Sequence, residues 1–283
     1  MIKVIINADD LGKSHEVNLA IQEALVCRCI TSSTILANSG TWDEVHDIVN
    51  NNPQASFGVH LNLTEGRALT NNSILQKYNV VDAAGYFTNK IRDLKDYPQE
   101  LIDAISEEFD AQINKVKNIE KITISHIDGH HHIHTFYPFT DVLIQLLHKY
   151  NIKSVRNRYY SKWLYRKSVL NTILIIFSPF IHISKKRYCK NHGNMLMNYC
   201  FGILENYKWR KAMANNFISL TEVFDSYEAF CKRLEAGYKI PQNATIELMC
   251  HPGHHAYSEE YGLIKNNMLD KYLDFSIFNY NQL

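Results

Sequence analysis

The chain has almost no charge imbalance. Its 283 residues carry 30 Lys and Arg against 29 Asp and Glu, a formal charge of +1. A nucleic-acid footprint needs a clustered excess of cations. The nearest candidate, Lys185-Lys186-Arg187, is three residues long and reads as solvated surface, so no nucleic-acid partner is expected. Six cysteines stand at positions 27, 29, 189, 200, 231 and 250 without a pair of Cys-x-x-Cys motifs, which argues against a zinc ribbon. The most apolar stretch, Leu170 to Ile183, is broken by Ser178-Pro179 and falls short of the ~20 residues that a membrane span needs. It reads as buried helix plus turn, or equally as a homodimer surface. Met1-Ile2-Lys3-Val4-Ile5-Ile6 runs straight into a strand, without the charged and apolar regions of a signal peptide. Reduced thiols and a cytoplasmic location are therefore expected.

Composition is otherwise that of a globular protein, 46% hydrophobic and 21% charged. Strand-like and helix-like runs alternate along it. Strands are expected over Lys3–Asn7, Thr34–Asn38, Ser56–Leu61 and Lys121–Ile127, then near Arg156, over Phe217–Leu220 and over Ala244–Met249. Helical spacing follows Val17, Trp42, Pro98 and Phe139, and again from Glu222 to Ala236, where Gly237 is the stop. Seven strands separated by helices imply a parallel sheet with helical cover, best explained by a distorted (β/α) barrel. No repeat or linker interrupts the chain, so residues 1–283 are expected to form one domain. Two long excursions, about 62–97 and 157–216, are expected to wall a cleft.

Polar motifs close five of these strands. Asn7-Ala8-Asp9-Asp10 follows the first. Adjacent carboxylates repel unless a cation or a task holds them; helix capping is the alternative reading. His60 closes the third strand, and alone it reads as an ordinary hydrogen-bonding histidine. The strong signal is Ser125-His126-Ile127-Asp128-Gly129-His130-His131-His132-Ile133-His134, which holds five of the 14 histidines in ten residues. Imidazoles beside a carboxylate suit a divalent metal. In a strand His130 and His132 would share a face; in a helical turn His130 and His134 would. Arg156 and Arg158 follow the fifth strand, where an arginine can steady a carboxylate or an anionic intermediate. Glu247-Leu248-Met249-Cys250-His251-Pro252-Gly253-His254-His255 ends the last strand and mounts His251 against a Pro-Gly turn, a good seat for a general acid or base. His254 and His255 read there as exposed turn residues.

These residues, in this order, resemble the YdjC-like carbohydrate deacetylases, the family that includes chitooligosaccharide deacetylase. The resemblance rests on Asn7-Ala8-Asp9-Asp10, Gly58-Val59-His60-Leu61, His126 to His134 and Met249-Cys250-His251-Pro252-Gly253. It implies hydrolysis of an N-acetyl group on an amino sugar or short chito-oligosaccharide. It also implies one divalent ion held by Asp10, His60 and His130. Magnesium is the family's usual metal, whereas a two-imidazole set suits Zn²⁺ or another transition metal. In the mechanism so implied, Asp9 is the general base and His251 the general acid, its charged form favoured by Glu247 or Asp128 if either lies close. His132, His134 and Arg156 join Asp128 and Glu247 as residues around the ligands or facing substrate. The rival classes are another metal-dependent hydrolase, a phosphoesterase or amidohydrolase, and a non-catalytic sugar-binding protein. The first commonly opens with His-x-His after the first strand, where this chain has Asp9-Asp10. The second would lack a base or an acid.

Overall fold

Among its described residues, the computed structural model joins every named strand by a parallel ladder. It describes residues 2–94, 96–156, 208–209, 219–220, 223–237, 240, 244–266, 269 and 275–283. The strands are β1 (Ile2–Leu11), β2 (Ser32–Ile35), β3 (Ser56–Leu61), β4 (His126–Gly129), β5 (Ser154–Val155), β6 (Ser219–Leu220), β7 (Val223–Ser226), β8 (Thr245–Cys250) and β9 (Phe275–Ile277). Their order is β6-β5-β4-β3-β2-β1-β8-β7, with β9 pairing the start of β1. A flat sheet of eight strands would hold its edges about 34 Å apart, at roughly 4.8 Å per strand. Here the edges are Leu220 and Val223, three residues apart in the chain, which spans at most about 11 Å. The sheet must therefore curl, and it forms a half-barrel with helices around it. Among the described residues no ladder joins β6 to β7.

The sequence dictates this burial. Val4, Ile5, Ala8 and Leu11 of β1 are fully buried on both faces, the continuous apolar run of a covered parallel strand. Each such aliphatic side chain contributes roughly 1.5–3 kcal/mol when buried. Among the described residues the α-helices are α1 (His15–Val26), α2 (Trp42–Asn51), α3 (Ser73–Lys77), α4 (Gln99–Asn114), α5 (Thr140–Tyr150), α6 (Tyr227–Glu235) and α7 (Ser258–Lys265). On α4, Leu101, Ile105, Phe109 and Ile113 are buried, the helical spacing that the sequence shows. Among the described residues no helix is long and apolar enough to cross a membrane.

All seven expected strand positions are strands, and β7 and β9 are additions. The helix expected from Glu222 begins instead at Tyr227, because the Ser226 hydroxyl caps it, accepting from the Ala229 N–H at 3.1 Å. The residues before that cap pair with β8, Val223 opposite Ile246. The expected strand over Lys121–Ile127 forms its ladder only from His126. Lys121 has φ +60°, and the Ile122 N–H closes the helical turn Lys115–Ile119 by donating to Val116 O at 3.1 Å. The 62–97 excursion leaves the carboxyl end of β3 and is anchored on α4. Buried Glu108 accepts from the Leu69 and Thr70 N–H groups at 3.0 and 2.8 Å. The 157–216 excursion and the apolar 170–183 stretch lie outside the described residues, apart from 208–209.

Candidate metal centre and active site

Asp9 and Asp10 end β1 side by side, yet they serve different neighbours because consecutive strand residues face opposite ways. Asp9 is gripped by Arg156, with Nη1 donating to Oδ2 at 2.8 Å and Nη2 to Oδ1 at 2.6 Å. The Asn7 amide donates to the same Oδ1 at 2.8 Å. Burial pushes the Asp9 carboxyl upward, but the Arg156 charge and hydrogen bonds hold it far below the usual carboxylate range. Asp10 turns away through a left-handed backbone, φ +70°. For a non-glycine residue this costs about 1–3 kcal/mol, and such strain gathers at functional sites.

Two imidazoles close on Asp10 Oδ1. His60 Nε2 lies 3.2 Å away and His130 Nδ1 2.8 Å away. Asp10, His60 and His130 are all buried, and one atom from each lies within 4.8 Å of the others. Despite these distances Oδ1 makes no hydrogen bond of acceptable geometry. A buried carboxylate oxygen that faces two ring nitrogens and satisfies no hydrogen bond is what a donor beside a shared cation looks like. The residues thus fit a divalent metal. The outer partners fit as well. His60 Nδ1 donates to Asp128 Oδ1 at 2.7 Å, the carboxylate–histidine pairing that leaves Nε2 free as a ligand. His130 Nε2 stands 3.3 Å from Glu65 Oε1. Burial lowers the His60 pKa, but Asp128 and Asp10 outweigh it and push it up to about 10, a sign of surplus negative charge. Glu65 is pulled down to about 2 by the His130 ring beside it, against burial, with Lys13 adding to it.

Beneath the ligands lies a buried ionic network. Arg156 reaches Asp9, Asp128 and Glu247 with one guanidinium, Nη2 standing 2.7 Å from Asp128 Oδ2 and 2.6 Å from Glu247 Oε1. Burial alone would lower the Arg156 pKa; Asp128, Asp9 and Glu247 hold it well above normal. The Tyr280 hydroxyl donates to the other Glu247 oxygen. The Tyr280 ring stacks on His126 at 3.6 Å. That close packing of β3 on β4 needs Gly58, where a Cβ would lie 2.7 Å from His126. Asp10, turned to the other side, is a fourth buried carboxylate at a centre that holds one guanidinium, so a further cation is electrostatically favoured.

The histidine segment is neither a strand nor one helical turn. His131 and His132 both adopt left-handed backbone, φ +51° and +56°, and this throws successive rings in different directions. His130 and His134 are buried and His131 is exposed. His134 Nε2 lies 3.1 Å from Arg156 O, and burial with the Arg156 charge keeps its pKa well below normal. His131 Nδ1 meets Thr64 at 3.0 Å. Half-buried His132 closes the turn through its carbonyl, which accepts from Thr135 at 2.7 Å.

After β8, His251 is paired with neither Glu247 nor Asp128, whose carboxylates are committed to Arg156. Its partner is Glu260 on α7, 2% exposed. Glu260 Oε2 accepts the His251 N–H at 2.9 Å and lies 3.5 Å from Nδ1. The His251 ring stacks on Tyr257 at 4.3 Å. His254 is not a plain turn residue either, since its Nε2 lies 3.2 Å from Asp10 Oδ2.

The YdjC-like protein family matches residues 3–275, nearly the whole chain and every motif above. The chain belongs to the YdjC-like family. A carbohydrate deacetylase of Oceanobacillus iheyensis is 35% identical over 153 residues, 53% of this chain and 63% of that protein. The chain thus aligns with less than two thirds of that relative's length. A carbohydrate deacetylase of Halalkalibacterium halodurans is 29% identical over 263 residues, 92% of this chain and 87% of that protein. The fold is shared with a crystal structure from Enterococcus faecalis V583, described as a cellobiose-phosphate cleavage protein, at TM-score 0.65 and 18% identity over 99% of this chain and 98% of that one.

In this YdjC-like chain the structure gathers Asp9, Asp10, His60, Asp128, His130, Arg156 and Glu247 around one buried centre, with His251 beside it. Sequence patterns alone do not mark Glu65, His254, Glu260 and Tyr280. One signal was available, since Glu65 follows β3 by four residues.

Proposed function

We propose that this chain is a metal-dependent carbohydrate N-deacetylase that releases acetate from N-acetylated amino sugars or short chito-oligosaccharides. The observation that carries the reading is the contrast between Asp10, grouped with His60 and His130 without hydrogen bonds, and Asp9, locked onto Arg156. The names of the relatives point to the same substrate class. A divalent ion held by Asp10, His60 and His130 would polarise the acetyl carbonyl and acidify the attacking water, which suits an acceptor as weakly basic as Asp9. Arg156 keeps Asp9 ionised, so it can take a proton from water as general base. Asp128 orients His60, and Glu247 helps to fix Arg156. His251, braced by Glu260, gives a proton to the departing amine nitrogen. Asp9 has one oxygen bonded to Asn7 and both to Arg156, so its basicity and direction are fixed by its neighbours rather than by solvent. His132 and His134 belong to the shell around His130 and Arg156.

The buried donors favour Zn²⁺ or another transition metal, while family likeness points to Mg²⁺. The four cysteines free among the described residues agree with a reducing compartment, and we place the enzyme in the cytoplasm. The test is acetate release from a panel of N-acetylated mono- and oligosaccharides, with and without chelator. Chelator-sensitive acetate release is expected. Chelator-sensitive cleavage of a generic phosphate ester, with no acetate from any sugar, would assign the site to a phosphoesterase instead.

A further inference from the structure

Two aromatic side chains are exposed among the described residues, Tyr86 and Tyr257. A single exposed tyrosine is ordinary; one held rigid against a proton donor is not. Tyr257 is 43% exposed and sits on the turn after β8 that carries His251. Its ring lies on the His251 ring, with centroids 4.3 Å apart and planes 21° from parallel. The His254 ring meets it at 6.1 Å and 69°. Among the described residues no other ring packs on it.

The ring is fixed before any ligand arrives. The Tyr257 N–H donates to His254 O at 3.0 Å, and the His254 N–H donates to His251 O at 3.3 Å. Gly253, at φ +81°, lets the turn press on α1, where a Cβ would lie 2.7 Å from Glu16 O; glycine alone fits so close an approach. His251 beneath the ring is held in turn by Glu260, which accepts its N–H at 2.9 Å. A ring ordered in advance loses little freedom on binding.

His251 covers one face of the phenol, so the exposed surface belongs to the opposite face and the outer edge. A pyranose with equatorial substituents offers a face of axial C–H bonds, weakly positive, which suits the negative face of an aromatic ring. Contact distance decides which sugar that is. Stacking at about 4 Å would put a sugar on the open face about 8 Å from the His251 ring. A proton donor must come within roughly 3 Å of the departing nitrogen. The sugar on Tyr257 is then not the one that loses its acetyl group but its neighbour, one glycosidic link away.

We propose that Tyr257 is the stacking platform for the sugar next to the reacting one, and that it makes the enzyme prefer a disaccharide over a monosaccharide. The proposal rests on the reading of His251 as proton donor in deacetylation.

The experiment compares wild type with Tyr257→Ala, Tyr257→Phe and Tyr257→Leu. Acetate release and calorimetric binding are measured with N-acetylglucosamine and with di-N-acetylchitobiose. Tyr257→Ala should raise KM and Kd for the disaccharide about fivefold or more, with kcat and the monosaccharide values near wild type. Tyr257→Phe keeps the aromatic face and should match wild type. Tyr257→Leu keeps bulk against His251 without that face; it should behave as alanine does, and it decides the matter should the alanine variant not fold. Unchanged disaccharide binding, or an equal loss for both sugars, overturns the proposal. So does a fall in kcat with KM unchanged, since Tyr257 would then merely brace His251. No acetate from either sugar would sink the deacetylase reading and leave Tyr257 to the binding data. Disaccharide affinity lost in the alanine variant would still uphold the platform, whereas a wild type that binds neither sugar would overturn both.

Discussion

Arg156 holds Asp9 through both terminal nitrogens, at 2.8 and 2.6 Å, with both side chains buried. A lysine would keep the charge but not the fork. Arg156→Lys should therefore fold yet lose about tenfold or more in kcat/KM, because Asp9 is no longer fixed in direction. Arg156→Met leaves Asp9, Asp128 and Glu247 buried without their cation and should lose about 3–5 kcal/mol of stability. Chemical denaturation and acetate-release kinetics of the two variants beside wild type check both statements. A lysine variant with wild-type kcat/KM would show that the bidentate grip has no part in turnover.

Asp9 and Asp10 are neighbours with opposite expected phenotypes. Asp9→Asn should bind metal as wild type does while turnover falls about 10²–10⁴-fold, the usual scale for a general base. Asp10→Asn should lose metal affinity first, and its activity should partly return at high metal concentration. Calorimetric titration with Zn²⁺ beside acetate-release rates separates them. The assignment fails if Asp9→Asn is the variant that loses metal.

Much of this centre was legible in the sequence because it is built from strand ends. β1, β3 and β8 are largely apolar stretches, and β4 follows the alternating Ile122-Thr123-Ile124-Ser125, so a polar residue at their carboxyl ends stands out. Asp9, Asp10, His60, Asp128 and His251 were visible in that way. Their partners were not. Glu260 lies in the first turn of α7, where an acidic residue is ordinary, and nothing in its spacing says that it folds inward onto His251. Tyr280 reaches the centre from a short turn near residue 283. β7 and β9, four and three residues long, are too brief to show a period of two. Left-handed backbone at His131 and His132 has no residue-type signature, so the direction of each ring in the histidine run could not be read.

Glu260 offers a test of positioning. Its Oε2 holds the His251 N–H and stands 3.5 Å from Nδ1. Glu260→Gln keeps an oxygen for the backbone N–H but removes the charge beside the ring. We expect kcat to fall roughly tenfold with KM little changed, since binding and transition-state contacts are affected differently. Glu260→Ala should lose more, together with about 1–3 kcal/mol from the unpaired N–H. A Glu260→Gln variant that raises KM alone would place Glu260 in substrate binding.

Acid should unfold the protein through its neutral buried histidines. Burial, with the Arg156 charge, holds the pKa of His126 and of His134 well below normal. In the unfolded chain both take a proton near pH 6.5. Below that pH the unfolded state binds more protons than the native one, so stability falls as pH falls, by up to about 1.4 kcal/mol per unit for each group. Above it the contribution is fully present. Denaturation midpoints measured from pH 7.5 to 5 in the metal-free protein should drop below about pH 6.5. His126→Gln, which removes one titrating group, should show a shallower drop than wild type. Equal slopes would exclude His126 as a source.

Tyr280 ties the end of the chain to the centre. Its hydroxyl donates to Glu247, its N–H donates to Ser56 Oγ at 3.0 Å, and its ring lies on His126. Glu247 in turn meets Arg156, which holds Asp9. Tyr280→Phe preserves the ring stack and the backbone bond and removes only the hydroxyl. Glu247 is already raised by burial, with Arg156 opposing. Losing the phenol should raise it further and weaken its hold on Arg156. The expected cost is about 1–3 kcal/mol in stability, the usual penalty for one unsatisfied buried acceptor. Any loss in kcat should be smaller than in Arg156→Lys, because the Arg156–Asp9 fork remains. In the double variant with Arg156→Lys, the two losses should combine to less than their sum, since both act through one network. Strict additivity would mean that Tyr280 braces the fold without reaching Asp9.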